Sequence, residues 1–432
     1  MSSEYKLSLP AAILININIM LGSGIFMNLL QLSKATGVLS AFVYAVIGLL
    51  MFPIVLAIAK LLQKYPGGSF YTFGSQEINS FFGFLATWIY FVGKLASATV
   101  LIHFFTLIVQ SLIPALAVVN TLVIDVIIIS LFSYLNMQNL KLGSIVQYAF
   151  IVFKAIPILF IILSGIFLLN PGNLSSEFMV WQGVLPIIPF VVFAFAGFEA
   201  AASLSRHIKN PDRNAPLAVL VSFGIVVFIC VLSNFLFFMV LGDEVQNAGS
   251  YFEAFPLLLN KVFPAQEFLR LKITALLQLA IGCSALGGAY GILFSNSWNL
   301  YALAENNHIF WAPTFSKLNS FNIPIFCVLS ETFICLFYLL ITQGNNVPLQ
   351  QIAAFGNLSA FMISALSLFW SSVHKRSNYF WLGLIATINC CGLLIICIRQ
   401  TFISGGVHFL IFLSLLAMGI LMFVYNNKNL KA

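Results

Sequence analysis

Charged residues are scarce in this sequence: they make up 7% of its 432 positions, whereas hydrophobic residues make up 61%. A soluble domain of this length needs far more polar side chains to cover its surface. The mean hydropathy of +1.03 likewise predicts a membrane protein. Because the apolar runs are continuous and do not alternate with polar residues, they predict membrane-spanning helices and exclude a β-barrel.

Several kinds of functional site are also missing. The seven cysteines lie inside apolar segments, so they indicate core residues and neither a disulfide framework nor a metal site. The five histidines are dispersed, and Asp125 is the only aspartate within an apolar run. Intramembrane proteases need paired aspartates, a serine with a histidine, or a zinc motif such as His-Glu-x-x-His. We therefore expect no enzyme, no catalytic residues, and no metal or other cofactor.

Counting the apolar runs predicts twelve membrane spans within a single transmembrane domain that covers residues 1–432. The spans lie near residues 9–33, 38–61, 81–113, 116–135, 145–169, 184–206, 215–241, 272–303, 323–342, 348–371, 378–398 and 406–425. The first run is too long for a cleavable signal peptide. The basic residues behind the net charge of +7 stand singly at the ends of spans, which indicates topology and not a nucleic-acid partner.

The distribution of the basic residues predicts an orientation. With the N-terminus inside, the cytoplasm receives Lys6, Lys60, Lys64, Lys141, Arg206, Lys209, Arg213, Lys317, Lys375, Arg376, Lys428 and Lys431, and the other side receives only Lys34, Lys261, Arg270, Lys272 and Arg399. This asymmetry predicts that both termini are cytoplasmic. The longest outer loop, near residues 242–271, contains an amphipathic run from Phe252 to Phe263 that predicts an interfacial helix.

The first span contains a candidate helix break at Gly22-Ser23-Gly24. Glycine and serine are poor helix formers, and unpaired backbone groups in hydrocarbon are so unfavourable that a break needs protein or a polar cavity around it. The break would expose carbonyls at the end of one half-helix and amides at the start of the other. These attract cations and anions, respectively. The alternative is that the small residues serve close helix packing.

A second break is predicted in span 6, around Gly197 between Phe193 and Ser203. Spans 1 and 6 each open a set of five, near residues 9–170 and 184–371, and residues 378–425 add two further helices. Interrupted helices at matching places in two halves indicate a transporter binding site. Since each half has an odd number of spans, the second must insert upside down, and the two breaks are expected to meet near the membrane midplane.

Several segments together resemble the amino acid–polyamine–organocation transporters, the amino acid permeases. They are Gly22-Ser23-Gly24-Ile25-Phe26, Tyr65 to Tyr71, Phe195 to Glu199, Lys209 to Pro216 and Tyr301 to Asn306. The resemblance covers roughly residues 9–370 and implies an all-α polytopic membrane fold. Its twelve spans would form a five-plus-five inverted repeat (LeuT-like) with broken helices 1 and 6, plus helices 11 and 12. The chain departs from the family at His207, where an acid is frequent, and from the arginine–agmatine exchangers at Phe193 and Ala289, where they have tryptophans.

The resemblance implies a carrier that binds a free amino acid between the two broken helices. The amides of Ser23, Gly24 and Ile25, with the Ser23 hydroxyl, suit an α-carboxylate. The freed carbonyls of Met20, Phe193 and Ala196 suit an α-ammonium group. The predicted substrate site comprises Met20, Gly22, Ser23, Gly24, Ile25, Phe193, Ala194, Ala196, Gly197, Phe198, Ala289 and Tyr290.

Four ionisable residues are predicted to be buried in the membrane, where each costs about 2.5–3.5 kcal/mol and needs a reason. Burial disfavours a charged amine, so Lys154 is a candidate proton carrier, bridging span 5 to carbonyls at the first break as in some proton-coupled members of the family; the alternative is a snorkelling lysine. Glu199 is expected to cap freed amides, with a compatible gating or proton-coupling role. Lys94 and Glu331 are expected to be packing charges, and His103 a hydrogen-bonded core histidine.

The predicted function is secondary active transport of amino acids across the inner or plasma membrane by alternating access, with protons as the coupling ion. The presumed pocket wall of Phe193, Phe195, Phe198, Ala289 and Tyr290 offers no free acid, so a cationic side chain would lose its hydration without a partner. Burial of apolar surface instead gains about 25 cal/mol per Å². We therefore expect a neutral, apolar or aromatic substrate. Amino acid–amine exchange is the alternative, followed by a channel or a transport-derived sensor.

Overall fold

The computed structural model describes residues 6–22, 24–249, 253–375, 378–403 and 407–429. These residues form α-helices and short 3₁₀ turns and contain no β-strand. The α-helices are α1 (Leu9–Met20), α2 (Gly24–Thr36), α3 (Leu39–Lys64), α4 (Phe70–Glu77), α5 (Ser80–Leu112), α6 (Pro114–Ala117), α7 (Thr121–Asn136), α8 (Leu140–Leu168), α9 (Val184–Phe195), α10 (Ala200–Ser203), α11 (Pro211–Leu241), α12 (Ala254–Val262), α13 (Glu267–Glu305), α14 (Ala312–Phe315), α15 (Ile325–Thr342), α16 (Asn346–Lys375), α17 (Phe380–Ile403) and α18 (Val407–Asn429).

The chain is an all-helical, multi-pass integral membrane protein. Among the described residues, ten stretches are long and apolar enough to cross a membrane: α3, α5, α8, Trp181–Ser203 with α9 and α10, α11, α13, α15, α16, α17 and α18. Together, α1 and α2 form an eleventh that is bent by 42°. The fourth predicted span corresponds to α7, which has 16 residues. At 1.5 Å per residue this helix is about 24 Å long, shorter than a hydrocarbon core of about 30 Å.

The helix α5 lies at the centre of the fold, packed against α13, α16 and α4. Nearly all of its middle is buried, from Gly83 to Phe104. Gly93 of α5 meets Gly356 of α16 so closely that an added Cβ on Gly93 would lie 2.7 Å from the Gly356 Cα atom. Small residues allow this close approach of two backbones, as is common between membrane helices.

Two helices outside the spans add detail to the sequence predictions. The helix α4 was not predicted; its start at Ser69 is stabilised by a reciprocal capping box with Thr72, and Gly74 rests on the backbone of Gly83 at the start of α5. The predicted interfacial helix is present as α12, although Phe252 lies outside the described residues. Its apolar face is buried within the protein, with the Phe255 ring 6.2 Å from the ring of Phe26 in α2. This face packs on α8, α11 and α13, and the position of α12 at the membrane interface stays a prediction.

The N-terminal segment is joined to the end of span 6. The Leu7 amide donates to the His207 carbonyl at 2.7 Å, and the Lys209 amide donates to the Leu7 carbonyl at 2.9 Å. These two backbone hydrogen bonds place the start of α1 and the exit of α10 at the same end of the molecule.

Candidate functional site

The first break lies where the sequence predicted it. The helix α1 ends at Met20, where the Leu21 amide still donates to the Ile17 carbonyl at 2.8 Å, and α2 begins at Gly24. Ser23, which was predicted to supply an amide and a hydroxyl, lies outside the described residues. The carbonyls of Leu21 and Gly22 fall between the two helices and need partners from elsewhere.

The second break separates α9, which ends at Phe195, from α10, which begins at Ala200. Gly197 has φ +142°, a conformation that only glycine adopts without strain. The Ala196 amide donates to the carbonyls of Val192 at 3.1 Å and Phe193 at 3.2 Å. The expectation that the Phe193 carbonyl is left free is therefore corrected, because the last turn of α9 tightens around it.

The two breaks contact each other, as predicted. A Cβ added to Gly24 would lie 3.3 Å from the ring of Phe193 and 3.4 Å from the Cα of Ala194. A Cβ added to Gly197 would lie 2.8 Å from the Met20 amide nitrogen. Glycine at both positions lets the interrupted backbones approach within van der Waals distance.

Two asparagines connect the broken spans. The Asn16 side chain of α1 donates to the Phe198 carbonyl at 2.7 Å and accepts from the Ala201 amide of α10 at 3.0 Å. The Asn28 side chain of α2 donates to the Phe190 carbonyl of α9 at 2.8 Å. Both asparagines are buried, so they satisfy backbone groups near the breaks that water does not reach.

Lys154 of α8 is 2% exposed and does not snorkel. Its amine donates to the Leu21 carbonyl at the first break, to the Ser284 hydroxyl of α13 at 2.8 Å and to the Ser284 carbonyl at 3.1 Å. The Ser284 hydroxyl donates to the same Leu21 carbonyl at 2.9 Å. The predicted bridge between span 5 and the first break is thus present, and span 8 completes it. None of these partners is an acid.

Glu199 is fully buried at the second break. One carboxyl oxygen accepts from the Gly197 amide at 2.7 Å, so the carboxylate caps a freed amide as expected. The other accepts from the Lys94 amine at 2.8 Å and from the Tyr90 hydroxyl at 3.0 Å, both on α5. Lys94 is 1% exposed; the sequence had assigned it no partner.

The predicted aromatic pocket wall is corrected in part. The Phe195 ring packs 5.5 Å from Tyr44 of α3, and the Phe198 ring packs 5.2 Å from Phe361 of α16. The Tyr290 ring packs 5.3 Å from Phe132 and thus faces α7. All three residues are buried, so their rings fill space between helices. Only the Phe193 ring, which faces Gly24, lies against the first break.

The face of α13 that looks onto the first break consists of small residues. A Cβ added to Gly288 would lie 3.1 Å from the Gly22 Cα, and one added to Gly291 would lie 2.6 Å from the Ile19 side chain. Ala289 is buried in the same turn. In the sequence, the run of small residues Ser284-Ala-Leu-Gly-Gly-Ala-Tyr-Gly291 indicates such a face.

A cavity of about 500 Å³, here called the Arg206 cavity, opens at the end of the molecule that holds the exit of span 6. Its lining includes Ser203 of α10, Arg206, His207, Trp298 and Glu305. Arg206 and Glu305 form an ion pair across it, and the His207 ring lies 4.1 Å from the Trp298 ring. Burial, with the nearby charges of Arg206 and Lys6, lowers the pKa of His207 to about 4, so this histidine is neutral at pH 7.

His103 is a hydrogen-bonded core histidine, as predicted. Its Nδ1 lies 2.8 Å from a carboxyl oxygen of Asp125 on α7, and the other oxygen accepts from the Thr106 hydroxyl at 2.6 Å. The side chains of Lys94, Lys154, Glu199 and Glu331 are all buried as expected.

Known proteins resemble this chain over most of its length. A family model described as amino acid permease matches residues 7–431. An uncharacterized transporter of Mycobacterium tuberculosis is 26% identical over 316 residues, which cover 70% of this chain and 67% of that protein. The aromatic amino acid transport protein AroP of Escherichia coli K12 is 23% identical over 369 residues, which cover 82% of this chain and 76% of AroP. The chain therefore belongs to the amino acid permease family and is a transporter, not an enzyme.

Proposed function

We propose that this permease is a secondary active transporter that takes up neutral amino acids by alternating access, with protons as the coupling ion. The observation that carries the proposal is the contact between two interrupted helices, at which Gly24 faces Phe193 and Gly197 faces Met20. Interrupted helices in matching positions place backbone amides and carbonyls where an amino acid's carboxylate and ammonium groups need them. The amides of Gly24 and Ile25, together with Ser23, are the proposed carboxylate site.

The proposed topology has twelve spans, with α7 as the fourth, and residues 9–170 and 184–371 as inverted repeats. Both termini are proposed to be cytoplasmic, in an inner or plasma membrane. The backbone pairing of Leu7 with His207 and Lys209 supports this, since it puts Lys6, Arg206 and Lys209 at one end of the molecule. The Arg206 cavity is then on the cytoplasmic side.

Lys154 is the proposed proton carrier. Its described partners are the carbonyls of Leu21 and Ser284 and the Ser284 hydroxyl, with no carboxylate among them, so these dipoles are what stabilise the charged form there. A buried amine in such a setting can lose its proton when the surroundings change. Because its partner is the Leu21 carbonyl, loss of the proton would alter the contacts that hold the end of α1 in place.

The proposed substrate is neutral because the acid at the break is already engaged. Glu199 binds Lys94, Tyr90 and the Gly197 amide. A substrate with a cationic side chain would therefore be desolvated without a counter-charge. The similarity to AroP, an aromatic amino acid transport protein, supports the same class.

Binding is tested by thermal unfolding of the purified protein against the twenty amino acids and common amines. A ligand that binds only the native state raises the melting temperature. At a ligand concentration of one hundred times Kd, it adds about 2.7 kcal/mol to the free energy of unfolding. We expect a shift with leucine or phenylalanine and none with arginine or agmatine. The reverse pattern would overturn the proposed substrate class.

The location of the site is tested with Gly24→Leu. The new side chain would begin 3.3 Å from the Phe193 ring, so we expect it to separate the breaks and abolish the ligand-induced shift while the protein still inserts. Gly224→Leu on α11 is the matched control, because a Cβ there meets nothing within 4 Å. Wild-type affinity in Gly24→Leu would show that the carboxylate binds elsewhere.

Coupling is tested with Lys154→Gln in liposomes. The amide can still donate to the Leu21 carbonyl but cannot carry a proton. We expect binding to persist and accumulation driven by an inward proton gradient to be lost. Gradient-driven accumulation that survives would rule Lys154 out, and uptake that needs an amino acid or amine on the opposite side in the wild type would favour exchange over symport.

A further inference from the structure

Glu331 of α15 is a buried acid that the proposed transport site does not use. It is 1% exposed, and neither carboxyl oxygen has a hydrogen-bond partner among the described residues. The Asn296 side chain of α13 interacts with this carboxyl group, but not through a hydrogen bond of good geometry. One hydrogen of the Asn296 amide donates to the Phe91 carbonyl of α5 at 3.0 Å.

No described cation neutralises Glu331. Lys94 of α5 is bound to Glu199, and His103 of α5 is bound to Asp125 of α7. Within the described ranges, the other helices packed on α15, namely α13, α14 and α16, bring no charged group to this carboxyl.

The titratable groups that face Glu331 are the thiols of Cys327 and Cys335, one turn away on either side of α15. A thiol does not supply positive charge. An unpaired carboxylate in this position would lose its hydration without compensation, whereas a neutral carboxylic acid would not carry that electrostatic penalty. These surroundings therefore favour the neutral, protonated form of the Glu331 carboxyl group.

A strip of polar side chains leads from Glu331 to the Arg206 cavity. The Asn296 carbonyl oxygen accepts from the Asn299 amide at 3.0 Å, and the same amide donates to the Ser203 hydroxyl at 2.9 Å. Ser203 lines the cavity. The Asn299 carbonyl oxygen has no partner among the described residues, so the strip offers an acceptor for a water molecule along the way.

We propose that Glu331 is a second proton-binding site of this permease, separate from Lys154, that is protonated in this conformation and exchanges its proton with the Arg206 cavity during transport. In the exchange the carboxylic acid releases one proton to water in the cavity and becomes a carboxylate, and it later regains one. The role in transport rests on the proposed function, but the protonated state of Glu331 does not.

The protonated state is tested by infrared spectroscopy of the full-length protein in liposomes at neutral pH. We expect a carbonyl stretching band of a protonated carboxyl group that Glu331→Gln removes. Glu331→Asp should shift the band, and it carries the test if the glutamine variant does not fold. The matched control is Glu77→Gln, because the Glu77 carboxylate binds Lys64 and the Tyr65 hydroxyl; it should leave the band in place. A spectrum in which neither Glu331 variant changes the band would overturn the assignment.

The route is tested by transfer into D₂O. We expect the band to shift as the proton exchanges, and at least tenfold more slowly in Asn299→Leu, which interrupts the strip. An unchanged exchange rate would overturn the route through Asn299.

The role in transport is tested by the number of protons moved per phenylalanine taken up. We expect Glu331→Gln to lower this ratio; a wild-type ratio in the variant would overturn the role. If the wild-type protein moves no protons with substrate, the proposed coupling fails, while the infrared result still decides whether Glu331 is protonated.

Discussion

The two breaks are stabilised in opposite ways. At the first, a carbonyl is exposed at the end of α1, and the groups that satisfy it come from other helices: Lys154 of α8 and Ser284 of α13. At the second, an amide is exposed before α10, and it is capped from two residues away by Glu199. An amine thus meets the carbonyl end of one half-helix, and a carboxyl group meets the amide end of the other, as the helix dipole favours.

The two caps differ in which parts of the chain must come together to form them. The cap at the second break is made within residues 197–199, and Lys94 and Tyr90 of α5 bind the other carboxyl oxygen. The cap at the first break exists only when α1, α8 and α13 have packed. We infer that the first break is the more sensitive to movement of neighbouring helices, whereas the second depends on its own local geometry.

The largest effect on uptake is expected from Gly197→Ala. The φ of +142° is strained for alanine by about 1–3 kcal/mol, and the new Cβ would overlap the Met20 amide nitrogen at 2.8 Å. We expect loss of most uptake and a clearly lower melting temperature. Gly392→Ala on α17, where a Cβ meets nothing within 4 Å, should behave as wild type. If Gly197→Ala matched that control, the second break would not depend on glycine.

The next prediction concerns the melting temperature and the buried pair of Lys94 and Glu199. Lys94→Met or Glu199→Gln alone leaves an uncompensated buried charge, which costs about 3–5 kcal/mol. We expect the double variant to melt closer to wild type than either single variant. The exposed pair Lys261–Glu244 is the control, and its variants should leave the melting temperature unchanged. Additive losses in the Lys94–Glu199 cycle would mean that the two side chains act independently.

Ser284→Ala should have a smaller effect at the first break. It removes a donor to the Leu21 carbonyl and an acceptor for Lys154, a loss of about 1 kcal/mol measured by thermal unfolding. Ser330→Ala is the control, since the partner of that hydroxyl in the described part of the chain is the Phe326 carbonyl of its own helix. Equal melting temperatures for the two variants would indicate that Lys154 alone satisfies the break.

At neutral pH the smallest effect is expected from His207, which lies outside both breaks and affects stability only as the pH falls. Because the pKa of His207 falls from 6.5 to about 4 on folding, the unfolded chain takes up this proton at a higher pH than the native protein. The contribution of the neutral histidine is complete above pH 6.5 and is lost as the pH falls toward 4. His207→Phe keeps a ring beside Trp298. Between pH 6.5 and 4.5, we expect the melting temperature of this variant to fall less than that of the wild type. An identical pH profile would contradict the shifted pKa.

The sequence predicted the parts of the site that depend on local residues. Gly22 and Gly24 identify the first break, and Gly197 with Glu199 identifies the second, because helix propensity and capping act within a few positions. The reach of Lys154 to the first break was predicted from family resemblance. The pairing of Lys94 with Glu199, which are 105 residues apart, was not, since nothing in an apolar run specifies which helix face meets which.

The direction in which side chains point was the second feature that the sequence could not predict. Phe195 and Phe198, which flank the second break in sequence, and Tyr290 of span 8 were placed around the substrate. Their rings instead pack toward α3, α16 and α7. At a break the backbone turns by an angle that the sequence does not reveal, so the helical periodicity that assigns faces no longer applies. The short capping-box helix α4 was missed because its eight residues carry no clear periodic pattern.

The asparagine contacts have a mechanical consequence. Asn16 ties α1 to α10, and Asn28 ties α2 to α9, so the half-helices are fastened across the two spans and not along them. The backbone bonds of Leu7 add a second fastening between α1 and the residues after α10. A displacement of the N-terminal segment would thus be transmitted directly to α10. We expect α1 and α10 to move as one rigid unit relative to a second unit formed by α2 and α9, with the glycines at the breaks as the hinge between the two units.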